Sequence, residues 1–221
     1  MKRRILFGSI ALCMFLALAM VAQAEQVTLY YTGNTGGYVS GGYYAYPYYF
    51  NVAGTPNVPL LCDDANDEIS GGQSWTAQVT NLGDIIRNPT LITQTMFGST
   101  TNWLNKVAGL SSGLQAYEVA AYLFLQMRAN PSLISEYQSD IWYLFATQST
   151  LQNDNLGSYN TNDISAALSW VNQNQATLAA SLGSVNIYTP DPQEFFGVAE
   201  PSLAMLLPLG VCFVGTFRKL F

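Results

Sequence analysis

The chain has 221 residues, of which 49% are hydrophobic and 10% charged, and its formal net charge is −6 at pH 7. It contains no histidine, which excludes cysteine–histidine and serine–histidine hydrolases and removes a common general base and metal ligand. The acidic balance also disfavours partners such as nucleic acid or anionic lipid.

The N-terminus has the pattern of an export signal. A cationic start (residues 1–4) precedes an apolar run over residues 5–21, and Ala22 and Ala24 then form a small-x-small site. This pattern predicts a signal peptide over residues 1–24 that signal peptidase removes after Ala24. An uncleaved anchor helix is the alternative.

The C-terminus predicts a transmembrane segment over residues 203–221. Residues 203–217 are uncharged, and Arg218 and Lys219 follow them. Fifteen helical residues span about 22 Å, less than the roughly 30 Å hydrocarbon core, so the flanking residues must contribute. The basic pair should remain on the cytoplasmic side.

A short motif before this segment suggests how the tail is processed. Glu200, Pro201 and Ser202, the apolar stretch and the basic end together resemble the PEP-CTERM sorting signal of exported bacterial proteins. The resemblance implies recognition and tail removal by an exosortase-like enzyme, transient anchoring in the inner membrane, and delivery to the outer surface or extracellular matrix. The chain departs from the pattern at Ala199 and Pro208, and a plain tail anchor is the alternative.

Between the two ends, the sequence predicts one extracellular domain over residues 25–190 and a linker with the sorting motif over residues 191–202. Residues 25–202 hold three of the basic and all fourteen acidic residues, a net charge of −11. Such a charge suits an exported domain that binds cations or neutral glycans, for example extracellular polysaccharide, and no cofactor is predicted.

The first third of the domain predicts β-strands. Residues 26–33, 47–54, 58–62 and 74–82 are β-branched or aromatic runs bounded by turn residues. Residues 33–46 hold five glycines and four tyrosines. This loop either binds carbohydrate or packs its tyrosines on the sheet edge, and we favour packing.

The second half predicts helices over residues 114–130, from Pro131 through the following 18 residues, and over residues 163–182, with a late strand at 185–190. The expected fold class is therefore α+β, a β-rich N-terminal part followed by a helical part.

Cys62 is the one cysteine of this domain, since Cys13 and Cys212 lie in the terminal apolar stretches. It follows the strand-like sequence "VPLL" and precedes Asp63 and Asp64. One interpretation is a small buried hydrophobic residue at a strand end. The other is a nucleophile that condenses with a glutamine side chain.

The second interpretation depends on a resemblance. "LLCDD" and the helical "QSDIW", which begins at Gln138, are similar to the thioester domains of bacterial surface adhesins. The resemblance implies an internal thioester between Cys62 and Gln138 that a target amine opens, and a β-rich part beside a helical part. The adhesins prefer an aromatic or large aliphatic residue where Asp63 stands.

The acidic residues allow two further hypotheses. Asp63, Asp64, Asp67 and Glu68 form a weak candidate for Ca²⁺, although their spacing is not that of an EF-hand. A carboxylate glycosidase would draw on Glu118, Glu136 and Asp140. Glu136 and Asp140 lie one helical turn apart rather than across a cleft. We therefore expect a non-enzymatic protein.

Overall fold

The computed structural model describes residues 25–191 and 193–198. Within them, six antiparallel strands close a barrel in the order β1-β4-β5-β8-β7-β6, and β2 and β3 form a separate hairpin. The strands are β1 (Glu25–Thr35), β2 (Val39–Ser40), β3 (Tyr43–Tyr44), β4 (Tyr48–Val52), β5 (Thr55–Cys62), β6 (Ser74–Asn81), β7 (Val185–Thr189) and β8 (Phe195–Val198).

Alternation along the strands separates two faces. The inward face of the barrel carries Leu29, Phe50, Leu60 and Cys62, all buried in one cluster, while the next residue, Leu61, belongs to a different cluster outside the barrel. The turn that joins β4 to β5 holds Ala53 and Gly54, both at positive φ. Such a two-residue turn matches the twist of a hairpin, and a register shift between Phe50 and Val52 then sets the pairing that continues toward Cys62.

The helices cover one side of the barrel. They are α1 (Leu82–Arg87), α2 (Gly113–Ala129), α3 (Ile134–Phe145), α4 (Gln148–Asn153), α5 (Thr161–Gln173) and α6 (Leu178–Ser181), with 3₁₀ segments at Pro89–Gln94 and Pro131–Leu133. The Ser112 side chain caps α2 by accepting from the Gln115 N–H at 3.1 Å. The largest apolar cluster lies between these helices and the outward barrel face.

The predicted α+β class is confirmed at this level. Closure of the sheet was not predicted, and it depends on β8, which lies in the stretch expected to be a linker. The single helix predicted over residues 163–182 is wrong, because the chain ends α5 at Gln173 and resumes with the short α6. The Asn174 amide caps that end by donating to the Trp170 carbonyl at 2.8 Å.

The export elements lie outside the described residues. These are the signal-peptidase site (Ala22 and Ala24), the sorting motif (Glu200, Pro201 and Ser202) and the basic end (Arg218 and Lys219). In residues 25–191 and 193–198 no helix is both long enough and apolar enough to cross a membrane.

Candidate functional site

Cys62 ends β5 on the inward face of the barrel. It is 3% exposed and packs with the inward residues Tyr48 and Phe195. Its thiol donates to the Asp64 carbonyl oxygen at 2.9 Å. Among the described residues it forms no disulfide. The structural interpretation of Cys62 as a buried strand-end residue is therefore compatible with its position.

Two side chains of α3 hold the end of this strand. The Gln138 Nε2 donates to the Cys62 carbonyl oxygen at 2.7 Å, and the Trp142 indole N–H donates to the same oxygen at 3.1 Å. Residues four apart lie on one face of a helix, which explains why both reach one atom. The glutamine and the tryptophan of "QSDIW" thus converge on the cysteine from 76 and 80 residues away.

The Gln138 carboxamide is bonded at both ends. Its Oε1 accepts from the backbone N–H of Tyr46 at 2.9 Å, and the residue is 0% exposed. Tyr46 itself packs its ring edge-on against Phe124 of α2, with centroids 5.4 Å apart. Because its oxygen and its nitrogen each have a partner, the carboxamide is held in one orientation against the Cys62 backbone.

Burial sets the electrostatics of the thiol. Removal from water, followed by the negative charges of Asp64 and Asp63, raises the pKa of Cys62 well above its ordinary value. The Trp142 N–H opposes this shift because it favours the thiolate. Cys62 therefore rests as a neutral thiol at neutral pH.

A cavity of about 460 Å³ opens at this end of the barrel. Cys62 and Trp142 belong to its lining. The remaining lining includes aromatic residues and acids, among them Tyr31, Tyr43, Tyr44, Tyr48, Asp64, Asp67, Glu68 and Asp154. The mouth of a β-barrel is a common location for ligand sites.

The glycine- and tyrosine-rich loop contributes to this cavity through the β2–β3 hairpin. At its turn, Gly41 has φ +58°, and a Cβ there would lie 1.8 Å from the Asn155 carbonyl oxygen. The Ser40 hydroxyl also hydrogen-bonds that of Ser139 on α3. This seating leaves Tyr43 edge-on to Trp142, with ring centroids 6.3 Å apart. Tyr46 packs in the apolar core against a helix rather than on the sheet edge, whereas Tyr43 and Tyr44 line the cavity.

The acids near Cys62 do not act as one group. Asp64, Asp67 and Glu68 line the cavity, and Asp63 is not among the lining residues. The Asp63 carboxyl is buried. As an ionised carboxylate it has no hydrogen-bond partner among the described residues, whereas in its protonated form it donates to the Glu194 carboxylate. In the same part of the chain, no three acidic or thiol groups are arranged to hold a metal ion.

Asp63 lies beside a second buried acid. Burial and the charge of Glu194 raise the pKa of Asp63 well above its ordinary value. Glu194, by contrast, is fully bonded, since it accepts from the Met96 N–H at 2.8 Å, the Thr189 hydroxyl at 2.7 Å and the Tyr117 hydroxyl. This network fixes the start of β8, directly opposite Cys62, which pairs with Phe195.

The three glycosidase candidates do not share one cavity. Glu118 and Asp140 are buried, and Asp140 accepts from the Asn160 N–H at 2.6 Å. Glu136 is exposed and lines a different, shallower depression than Cys62. Neither buried acid is among the residues that line the Cys62 cavity.

Sequence reasoning missed Gln193, which lay in the predicted linker. Its Nε2 donates to the backbone carbonyls of Asp64 at 3.0 Å and Asp67 at 2.7 Å, so it holds the acidic turn in shape. A polar residue in a stretch without periodicity gave no signal for this role.

The comparisons with known proteins do not add to this geometry. The chain matches no protein-family model, and no match was found among the curated proteins or the solved structures.

Proposed function

We propose that this chain is an exported, non-enzymatic surface protein that attaches covalently to a target amine through an internal thioester between Cys62 and Gln138. The supporting observation is the contact that folding makes between these residues, with Gln138 Nε2 at 2.7 Å from the Cys62 carbonyl oxygen. The terminal signals predicted from the sequence, and the processing enzymes they imply, support export to the surface or extracellular matrix.

Formation of the thioester uses only the Cys62 thiol and the Gln138 carboxamide. In the condensation, Cys62 Sγ attacks Gln138 Cδ, the Cδ–Nε2 bond breaks, and the thiol proton leaves with the nitrogen as ammonia. The Tyr46 N–H, 2.9 Å from Oε1, is placed to stabilise the negative charge that develops on that oxygen.

The surroundings suit a bond that must survive until it meets its target. Both residues are almost fully buried, which keeps water away from the acyl group. The cavity gives a nucleophile access from the side of Cys62. When an amine attacks Cδ, the C–S bond breaks, the thiol recovers a proton, and an amide joins Gln138 to the target.

A second candidate has its own supporting observation. Every hydrogen-bonding end of the Gln138 carboxamide is paired, and the pKa of the Cys62 thiol is raised. Both are features of a residue pair whose role is to clamp the strand end to α3. In this alternative the protein is a matrix component that binds its partners without a covalent bond, and polysaccharide is one partner class.

Intact mass spectrometry of the full-length protein decides between the two. The thioester predicts that the wild type lies below its sequence mass by one ammonia, while Cys62→Ala and Gln138→Glu lie at their sequence masses. A thioester lost to water leaves glutamate at position 138, which peptide mapping detects and which also supports condensation. Wild-type protein at its full mass, with glutamine at 138 and a thiol that titrates after denaturation, overturns the thioester and favours the clamp.

A further inference from the structure

We infer that the carboxyl groups of Asp63 and Glu194 share one proton and together lock the barrel at the seam between β5 and β8, which opens when that proton is lost. Cys62 lies in this seam, so the lock controls how completely the residue is enclosed. The inference goes beyond the proposed function and holds whether or not a thioester forms.

The seam between β5 and β8 is short. Among the described residues, these strands pair only through residues 61–62 and 195–196, whereas β1 pairs with β6 along residues 25–30. Beyond the last pair, the Asp63 N–H donates to the Glu194 carbonyl oxygen at 3.4 Å, which is long for such a bond. Closure of the barrel thus depends on few bonds at this point, and weakly bonded segments of a native protein open first.

Two acidic side chains meet beside this seam. Asp63 and Glu194 are both 0% exposed, and the protonated Asp63 carboxyl donates to the Glu194 carboxylate. Glu194 also accepts from the Tyr117 hydroxyl of α2, the Thr189 hydroxyl of β7 and the Met96 N–H. An ionised Asp63 would have no hydrogen-bond donor among the described residues. The surroundings therefore stabilise one carboxylate, Glu194, and one carboxylic acid, Asp63.

No positive charge compensates the pair. None of the three basic residues in the described part of the chain forms an ion pair with either acid. The titratable groups that face the pair are Tyr117 on α2, Cys62 at the end of β5 and Asp64 in the turn after it. These groups are neutral or negative. Two buried carboxyls in contact cannot both ionise without a counter-charge, so the closed pair retains a proton that a free acid would lose.

The sign of the pH dependence follows from this proton. Below about pH 4 the closed and the open seam both hold it, and their equilibrium does not depend on pH. At higher pH an Asp63 released into water loses the proton while the closed pair keeps it. Each further pH unit then favours the open seam about tenfold, until the closed pair itself ionises. A rise in pH therefore exposes the end of β5, including Cys62.

Hydrogen exchange of the full-length wild-type protein between pH 6.5 and pH 8 tests the lock. This range lies above the pKa of about 6 to which burial raises Asp64, and a thioester carries no proton there. After correction for the intrinsic exchange rate, the opening constant of amides 61–63 and 194–196 should rise about tenfold per pH unit. These amides should also be less protected than amides 27–30 of β1. A flat profile at the seam, or protection equal to that of β1, overturns the inference.

Variants assign the proton. Asp63→Asn keeps the shape of the side chain and removes the shared proton, so the rise should fall below about threefold per pH unit. Asp67→Asn replaces an exposed acid of the same turn and is the matched control, which should keep the wild-type slope. A wild-type slope in Asp63→Asn also overturns the inference. Because a flat wild-type profile is sufficient to refute the lock, the test does not depend on the folding of a variant.

Discussion

The layer of helices α1–α6 and the mouth of the barrel differ in how their side chains are buried. In the layer, large apolar side chains such as Phe124 and Phe145 are fully buried. At the mouth, Tyr44 is 57% exposed, and the buried Gln193 carbonyl oxygen lacks a partner among the described residues. The difference indicates that packing in the layer supplies stability, whereas the mouth leaves aromatic side chains accessible to solvent.

Cys62 and Gln138 stand at the boundary between these regions. Gln138 comes from the layer, and Cys62 lines the mouth. For the proposed thioester, this position combines rigid placement of Gln138 with access to Cys62 from the cavity.

The largest loss of stability should come from a substitution in the apolar core of the helical layer. Phe124→Ala removes a fully buried ring that packs edge-on to Tyr46 and Phe196. We expect a loss of about 3–5 kcal/mol in the free energy of unfolding, measured by urea denaturation. Tyr44→Ala at the mouth should change it by less than about 0.5 kcal/mol. Similar losses in the two variants would remove the distinction between the regions.

A smaller loss of stability should come from replacing Lys106, which binds the C-terminal end of α3. The Lys106 ammonium donates to the carbonyl oxygens of Tyr143, Leu144 and Ala146, and burial lowers the pKa of this lysine to about 8. Lys106→Met keeps the apolar stem and leaves those carbonyls without the donor, so we expect a loss of about 2 kcal/mol.

The matched control for Lys106 is an exposed cation. Arg87 forms a surface ion pair with Asp84 at 2.6 Å, and Arg87→Met should cost less than about 0.5 kcal/mol in the same denaturation experiment. A loss for Lys106→Met no greater than this would contradict a structural role for the lysine.

The smallest predicted effect is a change in how the free energy of unfolding depends on pH. Burial raises the pKa of Asp140 to about 7, with contributions from the nearby acids Asp163 and Glu136, and the Asn160 N–H opposes the shift. Between about pH 4 and pH 7 the unfolded chain has lost this proton and the folded chain has kept it, so stability falls as pH rises. Below pH 4 both states hold the proton and the contribution is constant.

Asp140→Asn removes this titration. Relative to wild type, the variant should gain on the order of 2 kcal/mol in unfolding free energy as pH rises from 4 to 8, whatever its stability at pH 4. Urea denaturation at several pH values measures the difference, and parallel wild-type and variant curves would show that Asp140 is not the group responsible.

The sequence predicted the parts of the molecule that local patterns determine. Runs of β-branched and aromatic residues between turn residues indicated the early strands, and the helix predicted over residues 114–130 matches α2 (Gly113–Ala129). The closure of the barrel escaped prediction, because β8 is four residues long and its pairing with β5 is long-range. Asn174 and its local bonds divided what periodicity alone suggested was one helix.

The sequence predicted only part of the candidate site, because local motifs mark some of its residues and not others. Cys62 and Gln138 were found through short motifs, and the fold brings them into contact. The Tyr46 N–H and Gln193 were missed, since a backbone group carries no sequence signal and an isolated glutamine has no periodic neighbours. Asp63, predicted with the other acids, points into the interior because successive residues of an extended chain face opposite sides.

The most direct test of the thioester is amine capture. Full-length wild-type protein is incubated with methylamine, digested, and sequenced by tandem mass spectrometry, with Cys62→Ala as control. The account predicts a methylamide at Gln138 and a newly titratable thiol at Cys62 in equal amounts, and neither in the control. An unchanged Gln138 beside a thiol that is already free before amine is added would contradict it.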